Sequence, residues 1–394
     1  MLSRVEIKNY KSLASTVVRL NRFTVLVGPN GAGKSNFVDA LRFVSECLTG
    51  SISVPIRGRG GIDAVRRRSR GHPRNFGFRL GIELGSGQFA DFSFEIAALA
   101  KGTFEVKQER CIVKSAVGPV YHYEVESGRF TREVEGIKPK IESDRLVLTV
   151  VSAIEPFRQV YDYLTGMRFY SLSPDTIRGF QEPDPGEILK RDGSNAASVL
   201  REIRKEKPDD YDRLCRLLSK VVPGTSSAEY VSVGSKETIR FRQEVEGDIS
   251  PWAFDSVSMS DGTLRVLGIL LAVYQRSSPT LIAIEEPEST IHPAALDVLV
   301  DILKDGSHRA QILITTHSPD ILDDNKIRDN EILIVESTKG KTTVAPRAGI
   351  SRDLIHRHLY TLGELLRSGE LRPDKKKATR TSKQLNLFGK RSKR

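Results

Sequence analysis

Apolar and polar positions alternate along the first part of the chain, which predicts β-strands there. Leu2 to Asn9 alternates, Thr16 to Leu20 is β-branched, and Phe23 to Val27 is a continuous apolar run. Such segments are typical of strands that are half or fully buried. Further alternating segments predict an antiparallel sheet: Phe76 to Leu84, Phe92 to Ile96, Thr103 to Val113, Tyr121 to Val125 and Leu146 to Val151.

Helical spacing of apolar residues takes over in two regions. Residues 34–48 carry Phe37, Leu41, Val44 and Leu48 on one side, and the pattern becomes mainly helical from about Glu155. The stretch 51–79 is rich in Gly and Arg and predicts an irregular insert. The later predicted helices cover 156–164, 196–204, 209–221, a segment starting near 261, 294–304 and 319–322; the later strands cover 227–245 with a turn at Gly234, 280–284, 311–315 and 331–336.

A glycine-rich turn separates the third strand from the first helix. It reads Gly28-Pro29-Asn30-Gly31-Ala32-Gly33-Lys34-Ser35 and matches the phosphate-binding P-loop, G-x-x-x-x-G-K-S, in the strand-to-helix context that the motif requires. Backbone N–H groups of such a turn wrap phosphates, and the helix N-terminus adds positive potential. Lys34 is predicted to reach the β- and γ-phosphates of ATP, and the Ser35 hydroxyl to bind Mg²⁺. Asn30, Gly31, Ala32, Gly33 and Asn36 complete the predicted ATP-binding set.

Two later strands end in groups suited to phosphoryl transfer. Residues 281–284 are apolar and run into Glu285 and Glu286, which is typical of a Walker B strand. Glu285 is the candidate Mg²⁺ ligand and Glu286 the candidate base that polarises the attacking water. The next apolar strand ends at His317, the candidate contact to the γ-phosphate. Each feature alone also fits an ordinary solvated turn, and their order along the chain favours the functional interpretation.

A serine opens the helix that precedes the Walker B strand. Met259-Ser260-Asp261-Gly262-Thr263 resembles the signature motif of ABC ATPases, usually Leu-Ser-Gly-Gly-Gln, with Ser260 and Gly262 matching. A serine before a helix is also a common N-cap, and both roles are compatible because a capped N-terminus binds anions. In the ABC fold the signature completes the ATP site of a second protomer. The resemblance therefore implies a homodimer that clamps ATP between two copies.

Most of the chain resembles the stand-alone ABC-type ATPases related to the RecF, OLD and SMC proteins. The resemblance rests on the four motifs and on residues 5–13, Glu286-Pro287-Glu288-Ser289 and Arg191-Asp192-Gly193-Ser194-Asn195, a segment without known chemistry. It implies an α/β head with an antiparallel β subdomain and a helical lobe containing the signature helix, and it places Lys11 near the nucleotide. The expected boundaries are 1–150 for the P-loop lobe and β subdomain, 151–371 for the helical lobe with the Walker B and histidine strands, and 372–394 for a basic, disordered tail.

The sequence also departs from those relatives. It has no heptads for the long coiled coil of SMC proteins, and too few residues follow His317 for the nuclease domain of OLD proteins, so we expect no nuclease within this chain. Gln88 is the nearest candidate for the glutamine of the ABC Q-loop. Cys47, Cys111 and Cys215 are too widely spaced for a zinc ribbon and are expected to be buried free thiols.

Basic residues concentrate in two patches of a chain whose net charge is +11. One patch lies at residues 57–79, where Arg66, Arg67, Arg68 and Arg70 are candidate DNA contacts, although some could instead pair with acidic neighbours or nucleotide. The other is the C-terminal tail. The absence of a long apolar run excludes a membrane span from the sequence and predicts a cytoplasmic protein.

The basic tail contains one apolar segment, Gln384-Leu385-Asn386-Leu387-Phe388. It resembles the short motif by which bacterial proteins dock on the DNA polymerase sliding clamp. With no core to join, an apolar segment in a charged tail predicts partner binding, while the flanking lysines suit DNA phosphates or simple solvation.

Two functions remain open from sequence. The first is an Mg²⁺-dependent ATPase dimer that binds DNA in repair or anti-phage defence, with a possible effector nuclease encoded nearby. The second is a slow ATP-binding switch that holds a toxic partner. A transporter subunit is disfavoured by the variant signature.

Overall fold

The computed structural model describes residues 1–69, 73–133, 142–348, 360–376, 378 and 387–388. The chain divides into two compact units. The first comprises residues 1–167, 329–360 and 368–394, and the second comprises residues 168–328 and 361–367.

The first unit contains the amino-terminal strands and a seven-stranded antiparallel sheet. Its elements are β1 (Leu2–Tyr10), β2 (Leu13–Arg19), β3 (Phe23–Val27), α1 (Lys34–Cys47), α2 (Ser53–Arg57), α3 (Ile62–Val65), β4 (Asn75–Glu83), β5 (Phe89–Ala98), β6 (Phe104–Lys114), β7 (Val120–Glu126), β8 (Arg129–Arg132), α4 (Leu148–Val151), α5 (Glu155–Thr165), β15 (Ile332–Thr338) and β16 (Lys341–Ala345). Within the described residues the large sheet has the order β2-β1-β4-β5-β6-β7-β8, and β3 pairs in parallel with β15, which pairs with β16.

The second unit contains the signature helix and the later parallel strands. Its elements are β9 (Met167–Tyr170), α6 (Pro174–Arg178), α7 (Ala196–Glu206), α8 (Pro208–Val221), β10 (Thr225–Val233), β11 (Lys236–Gln243), β12 (Trp252–Asp255), α9 (Asp261–Tyr274), β13 (Leu281–Glu285), α10 (Leu296–Gly306), β14 (Gln311–Thr316), α11 (Pro319–Leu322) and α12 (Leu362–Arg367). Here β14, β13 and β9 are successive neighbours, and β10, β11 and β12 form a separate sheet.

Aromatic side chains pack α1 against one face of the large sheet. Tyr10 of β1 and Phe76 and Phe78 of β4 surround Phe43 of α1, with ring centroids 5.4 to 6.2 Å apart. All four side chains are fully buried. Because alternate residues of β4 face this helix, the P-loop helix is held by the alternation visible in the sequence.

The structure adds elements that the sequence pattern missed. Residues 51–79, predicted to be irregular, contain α2 and α3 before β4 begins, and β9, β12, β16 and α6 were not predicted. The expected boundary at residue 150 falls before α5, which belongs to the first unit, and β15 and β16 also return to that unit. The missed elements α2, α3, α6, β9, β12 and β16 are each four or five residues long, too short for periodicity to identify.

The prediction of a strand at residues 146–151 is wrong, because Leu148–Val151 is a helix. The carboxylate of Glu109 on β6 explains the difference. It accepts hydrogen bonds from the backbone N–H of Val147 at 2.6 Å and of Leu148 at 2.8 Å, and from the hydroxyl of Tyr123 at 2.7 Å. A buried acceptor from a distant strand therefore satisfies the first N–H groups of α4, which an apolar run cannot reveal.

We expect Glu109 to make stability depend on pH. Burial raises its pKa to about 7, outweighing the hydrogen bonds from Tyr123, Val147 and Leu148. The folded state then retains a proton that the unfolded state has lost, so stability falls by about 3 kcal/mol as pH rises from about 4.5 to 7. Glu109→Gln, which resembles the protonated form, should remove this component. Melting temperatures measured between pH 5 and 8 test this dependence, with Glu126→Gln at an exposed position of β7 as control. The melting temperature of Glu109→Gln should change less with pH than that of the wild type. Equal pH dependence of the two proteins would contradict the assignment to Glu109.

Other expectations concern composition. Cys47, Cys111 and Cys215 are buried free thiols, as predicted. Among the described residues, no helix has both the length and the apolar content needed to cross a membrane.

Candidate functional site

The P-loop is shaped by glycines at positions where a side chain would be strained or blocked. Gly31 and Gly33 have φ of 74° and 103°, in the left-handed region that favours glycine. A Cβ atom on Gly33 would overlap the Thr342 hydroxyl of β16, and one on Gly28 would overlap the carbonyl oxygen of Val335 on β15. Two strands from the far end of the sequence therefore press against the turn and require its glycines.

A chain of hydrogen bonds fixes the same turn from outside. The Asn36 amide donates to the Ser12 hydroxyl at 2.7 Å, and that hydroxyl lies 2.7 Å from the Thr342 hydroxyl. Thr342 in turn donates to the carbonyl of Ala32 at 2.9 Å. Aligned donors of this kind reinforce one another. Asn36, predicted as an ATP contact, thus also supports the loop, and Ser12 and Thr342 are supporting residues that the sequence motif did not identify.

Lys34 lies inside the turn that it is predicted to serve. Its ammonium donates to the carbonyl of Gly28 at 2.7 Å and of Pro29 at 3.1 Å, and the residue is only 5% exposed. Gly33 at the N-cap of α1 provides no side-chain cap. The arrangement combines a positive charge with uncapped helix N–H groups, the combination that binds phosphate.

Lys11 lies in a charged cluster on α1. Its ammonium is 2.6 Å from a carboxylate oxygen of Asp39, which also accepts from Arg59 at 2.8 Å and from the Tyr10 hydroxyl at 2.7 Å. Burial acts to raise the pKa of Asp39, but the hydrogen bonds from Arg59, Lys11 and Tyr10 hold it well below its usual value. Asp39 thus stays ionised and positions Lys11, which adopts a left-handed backbone with φ of 45°.

Glu285, the predicted Mg²⁺ ligand, ends β13 and contacts an arginine that sequence reasoning did not assign. Arg191 Nη2 is 3.6 Å from its Oε1. Two hydrogen bonds hold the turn that carries Arg191. The Arg191 carbonyl accepts from the Ser171 N–H at 3.0 Å, and the fully buried Asn195 side chain donates to the carbonyl of Ile188 at 2.9 Å. The segment for which the sequence offered no chemistry therefore presents a cation to the first Walker B acid.

We expect Arg191→Met to strengthen Mg²⁺ binding. Arg191 is 52% exposed, and with Glu285 as the predicted Mg²⁺ ligand it would compete with the metal for the carboxylate. Removing it should then lower the half-saturating Mg²⁺ concentration by up to about fivefold, the worth of an exposed ion pair. The measurement is ATP binding titrated with Mg²⁺. Arg276→Met, which removes a guanidinium 3.4 Å from Glu187, is the matched control. An unchanged or raised Mg²⁺ requirement would contradict the competition.

The structure brings the predicted base and the predicted histidine together within the second unit. His317 Nδ1 lies 3.3 Å from Glu286 Oε1. Glu286 has φ of 47°, and its N–H donates to the carbonyl of Thr315 at 3.0 Å, which turns the chain sharply after β13. The Glu286 side chain is 40% exposed and the His317 side chain is 44% exposed, so both are accessible to a substrate. Because β13 and β14 are parallel neighbours, the two strand ends deliver the pair to one edge.

Glu288 is a further acidic group at this edge. It is 8% exposed and accepts a hydrogen bond from the Thr316 hydroxyl. Burial raises the pKa of Glu288. Its contact with Thr316 links the segment after β13 to the end of β14, next to His317.

The predicted signature forms the N-terminus of α9. The Ser260 hydroxyl accepts from Thr263 N–H at 3.2 Å, so Ser260 is the N-cap, yet the residue itself is exposed. Arg178 pairs with Asp261 and donates to the carbonyl of Met259 at 3.3 Å. A Cβ atom on Gly262 would lie 2.7 Å from the carbonyl oxygen of Thr290, which explains the glycine. Ser260 is thus both the N-cap of α9 and exposed.

The residues present suit ATP and Mg²⁺. Mg²⁺ prefers hard oxygen ligands, often few from protein and the rest from phosphate and water, which Ser35 and Glu285 match chemically. Within the described part of the chain, no cluster of three or more His, Cys, Asp or Glu side chains forms a protein-only metal site.

The arginine patch has mixed roles. Arg66 Nε is 2.7 Å from Asp63, and Arg68 donates to the Asp63 carbonyl at 3.1 Å. Arg67 donates to the carbonyl of Ser12 at 2.7 Å, next to the P-loop supports. Arg70 lies outside the described residues. Of the described three, Arg68 is the exposed one.

The expectation that the apolar tail segment has no core to join is wrong for its last two residues. Leu387 and Phe388 are 3% and 8% exposed and pack on the first unit. Gln384 and Leu385 lie outside the described residues. At its start the tail is also tied down, because Arg372 and Lys375 lie 2.8 Å and 2.7 Å from carboxylate oxygens of Glu336.

The fold is that of the head domains of SMC proteins, and the P-loop lies between its third strand and first helix. The structure has a TM-score of 0.52 to the SmcHead solved in complex with the C-winged helix domain of ScpA, with 16% identity, 87% of this chain and 96% of that chain covered. It has a TM-score of 0.51 to the Smc head domain from Pyrococcus furiosus solved with the C-terminal domain of ScpA, with 14% identity, 91% and 99% covered.

Residues 23–323 match the family described as "AAA domain, putative AbiEii toxin, Type IV TA system", and the chain belongs to it. The Old nuclease of Escherichia phage P2 is 23% identical over 370 residues, covering 86% of this chain and 60% of that protein. The Smc protein of Methanocaldococcus jannaschii is 50% identical over 44 residues, covering 11% of this chain and 4% of that protein. The chain thus spans at most 60% of the length of these curated relatives. The predicted relationship to SMC and OLD proteins is confirmed.

Proposed function

We propose that the chain hydrolyses ATP as a dimer in which each copy's signature serine completes the other copy's site. The observation that carries the proposal is the pairing of Glu286 with His317 at 3.3 Å, a base and a γ-phosphate contact at adjacent strand ends. Lys34 and Ser35 bind the phosphates and Mg²⁺ with Glu285. The exposed N-cap Ser260 is the group that a second copy's ATP would meet.

We propose further that hydrolysis is coupled to DNA. The relative from phage P2 is named a nuclease, and the first unit carries basic groups suited to phosphate. A groove of about 590 Å³ is lined by Arg66, Arg74, Lys101 and Lys107, with Asp63 and Glu105 as acidic members. Arg68 adjoins this groove through Asp63. The physiological setting that fits such an activity is DNA repair or anti-phage defence.

Multiple-turnover ATP hydrolysis with and without DNA tests the coupling. We expect DNA to stimulate turnover, and Arg68→Ala or Arg74→Ala to weaken DNA binding regardless of sequence and to reduce the salt slope by about one each. Arg158→Ala, which removes an exposed arginine paired with Asp162 on α5, should change neither. Turnover that is indifferent to DNA, with no binding at low salt, would exclude the DNA role.

A second candidate is a slow switch that holds an effector. The family description connects this domain with a putative toxin of a type IV toxin–antitoxin system, and control of an effector is the second candidate function in such a system. In that case turnover is slow and insensitive to DNA, and ATP stabilises a complex with a protein encoded nearby. Co-purification with that protein, with ATP and with ADP, separates the two functions.

We also propose that the tail binds the sliding clamp through Gln384, Leu385, Leu387 and Phe388. Clamp pull-down with full-length protein and with Leu387→Ala/Phe388→Ala tests this: the variant should lose clamp capture. Absence of capture by the wild type would end the clamp proposal.

A further inference from the structure

One face of the large sheet is charged, and yet its side chains range only from fully buried to partly exposed. Opposite the aromatic face, β1, β4, β5 and β6 carry Glu6, Arg79, Asp91, Ser93 and Arg110. Arg79 Nη2 lies 2.8 Å from Asp91, and Arg110 Nη2 lies 3.6 Å from the same carboxylate. Glu6 and Ser93 are 1% and 0% exposed. A charged sheet face of this kind normally faces water, so its burial requires a covering group.

The dipeptide Leu387–Phe388 of the chain's own tail contributes to that cover. Leu387 rests on Gly77 of β4: a Cβ atom at Gly77 would lie 2.7 Å from Leu387 Cδ1. Gly77 pairs with Lys8 of β1 and with Glu95 of β5, so the missing side chain leaves a depression in the middle of the sheet. The depression accepts one branched side chain.

Arg110 recognises the same dipeptide through three features. Its guanidinium donates to the carbonyl oxygen of Phe388 and, at 3.4 Å, to that of Leu387. The guanidinium carbon lies 5.7 Å from the centre of the Phe388 ring. The Arg110 side chain therefore contacts two successive backbone carbonyls and an aromatic ring. It is itself 8% exposed and pairs with Asp91.

We propose that this sheet face is a peptide-binding site for a Leu-Phe segment, and that its occupant is Leu387–Phe388 of the same chain. Binding here withholds both side chains from any other partner, because each is buried in the complex with the sheet. The site thus decides when the tail segment is available. The inference stands apart from clamp binding, which concerns what the released segment meets.

The tether explains why the occupant comes from the same copy. Arg372 and Lys375 anchor the start of the tail on Glu336 in the same unit, and only the residues between 375 and 387 separate the anchor from the dipeptide. A short covalent connection gives an effective concentration of about millimolar. Two apolar side chains need only modest intrinsic affinity to remain bound under that condition, and a partner present in excess can displace them.

A labelled synthetic peptide of residues 380–394 tests the site on full-length protein. The Leu387→Ala/Phe388→Ala variant keeps the whole chain but loses the resident side chains. We expect it to bind the peptide at least tenfold more tightly than the wild type, whose own tail competes. A peptide with alanine at the same two positions is the matched control because it keeps every basic residue, and it should bind at least tenfold more weakly.

Three results would overturn the proposal. One is a lack of peptide binding to the variant at millimolar peptide; a second is equal binding of the alanine peptide, which would indicate charge alone. Both peptide results are measured on protein with an unchanged sheet, so they do not depend on a variant of Arg110 that might misfold.

Limited trypsin digestion provides the third result. We expect cleavage after Lys383 and Lys390 to be slower in the wild type than in the Leu387→Ala/Phe388→Ala variant, and its rate to be independent of protein concentration. Protection that rises with concentration would assign the occupant to a second copy.

Discussion

Glu286→Gln is expected to abolish ATP turnover while leaving ATP binding intact. The amide matches the carboxylate in size but can neither accept a proton nor polarise water, and loss of a general base costs about 10²–10⁴-fold in rate. The backbone of Glu286 is fixed by Thr315 through its N–H, so the exchange leaves the turn unchanged. With closure possible and hydrolysis blocked, ATP should hold two copies together. Steady-state phosphate release, ATP binding and light scattering at micromolar protein measure the three consequences.

The control is Glu206→Gln, the same chemical change on the exposed end of α7. It should leave turnover and assembly at wild-type values. Two outcomes would contradict the proposal separately. Residual turnover within tenfold of wild type would move the base to another residue, Glu288 being the neighbouring acid beside Thr316. A variant that binds ATP but stays monomeric would remove the sandwich while leaving the ATP site in place.

The sequence predicted the positions of the polar groups at the strand ends better than it predicted the residues that support them. The P-loop, Glu285, Glu286 and His317 are short-range patterns, each following an apolar strand, and a strand end is where periodicity is informative. The close approach of Glu286 and His317 then follows from parallel pairing of adjacent strands. What fixes these groups comes from elsewhere in the chain, and no local pattern encodes it.

Thr342 and Arg191 illustrate what was missed. Thr342 lies on a five-residue strand and matters only because Gly33 and Ala32 lie beside it in space. Arg191 sits in a turn that was visible as a motif, but its partner Glu285 is far along the sequence. The same holds for Glu109, whose carboxylate turns an apolar segment into a helix. Long-range contacts override local propensity at each of these points.

For the tail, the expectation that failed is that its apolar pair has no folded surface to join, whereas partner binding itself stays a prediction. A basic segment with one apolar pair predicts partner binding. In the structure the apolar pair packs on the chain's own sheet. Gly77 leaves room for Leu387, and the Arg110 guanidinium lies over the Phe388 ring. A glycine within β4 was the available signal, since glycine in a strand interior often marks a close approach by another segment.

Two inactive variants, mixed, should recover ATP turnover if the signature acts across copies. Lys34→Ala removes the charge that reaches the phosphates. Ser260→Asp keeps the N-cap of α9, since Asp caps as well as Ser, but adds a negative charge where a γ-phosphate is proposed to sit. Each variant alone should lose at least about 100-fold of its turnover, because every site in a symmetric dimer contains the defect.

In an equal mixture, half of the dimers are mixed, and each mixed dimer has one site with an intact Lys34 from one copy and an intact Ser260 from the other. Recovery to about one quarter of wild-type turnover is therefore expected, since one site in four is whole. Unchanged melting temperatures of both variants establish that they are folded. If Ser260 instead served the ATP bound by its own copy, no pairing would create an intact site and the mixture would stay as inactive as its components. The mixture therefore decides between a signature that completes the partner's site and one that serves the site of its own copy. Wild-type turnover of Ser260→Asp alone would instead show that Ser260 only caps α9.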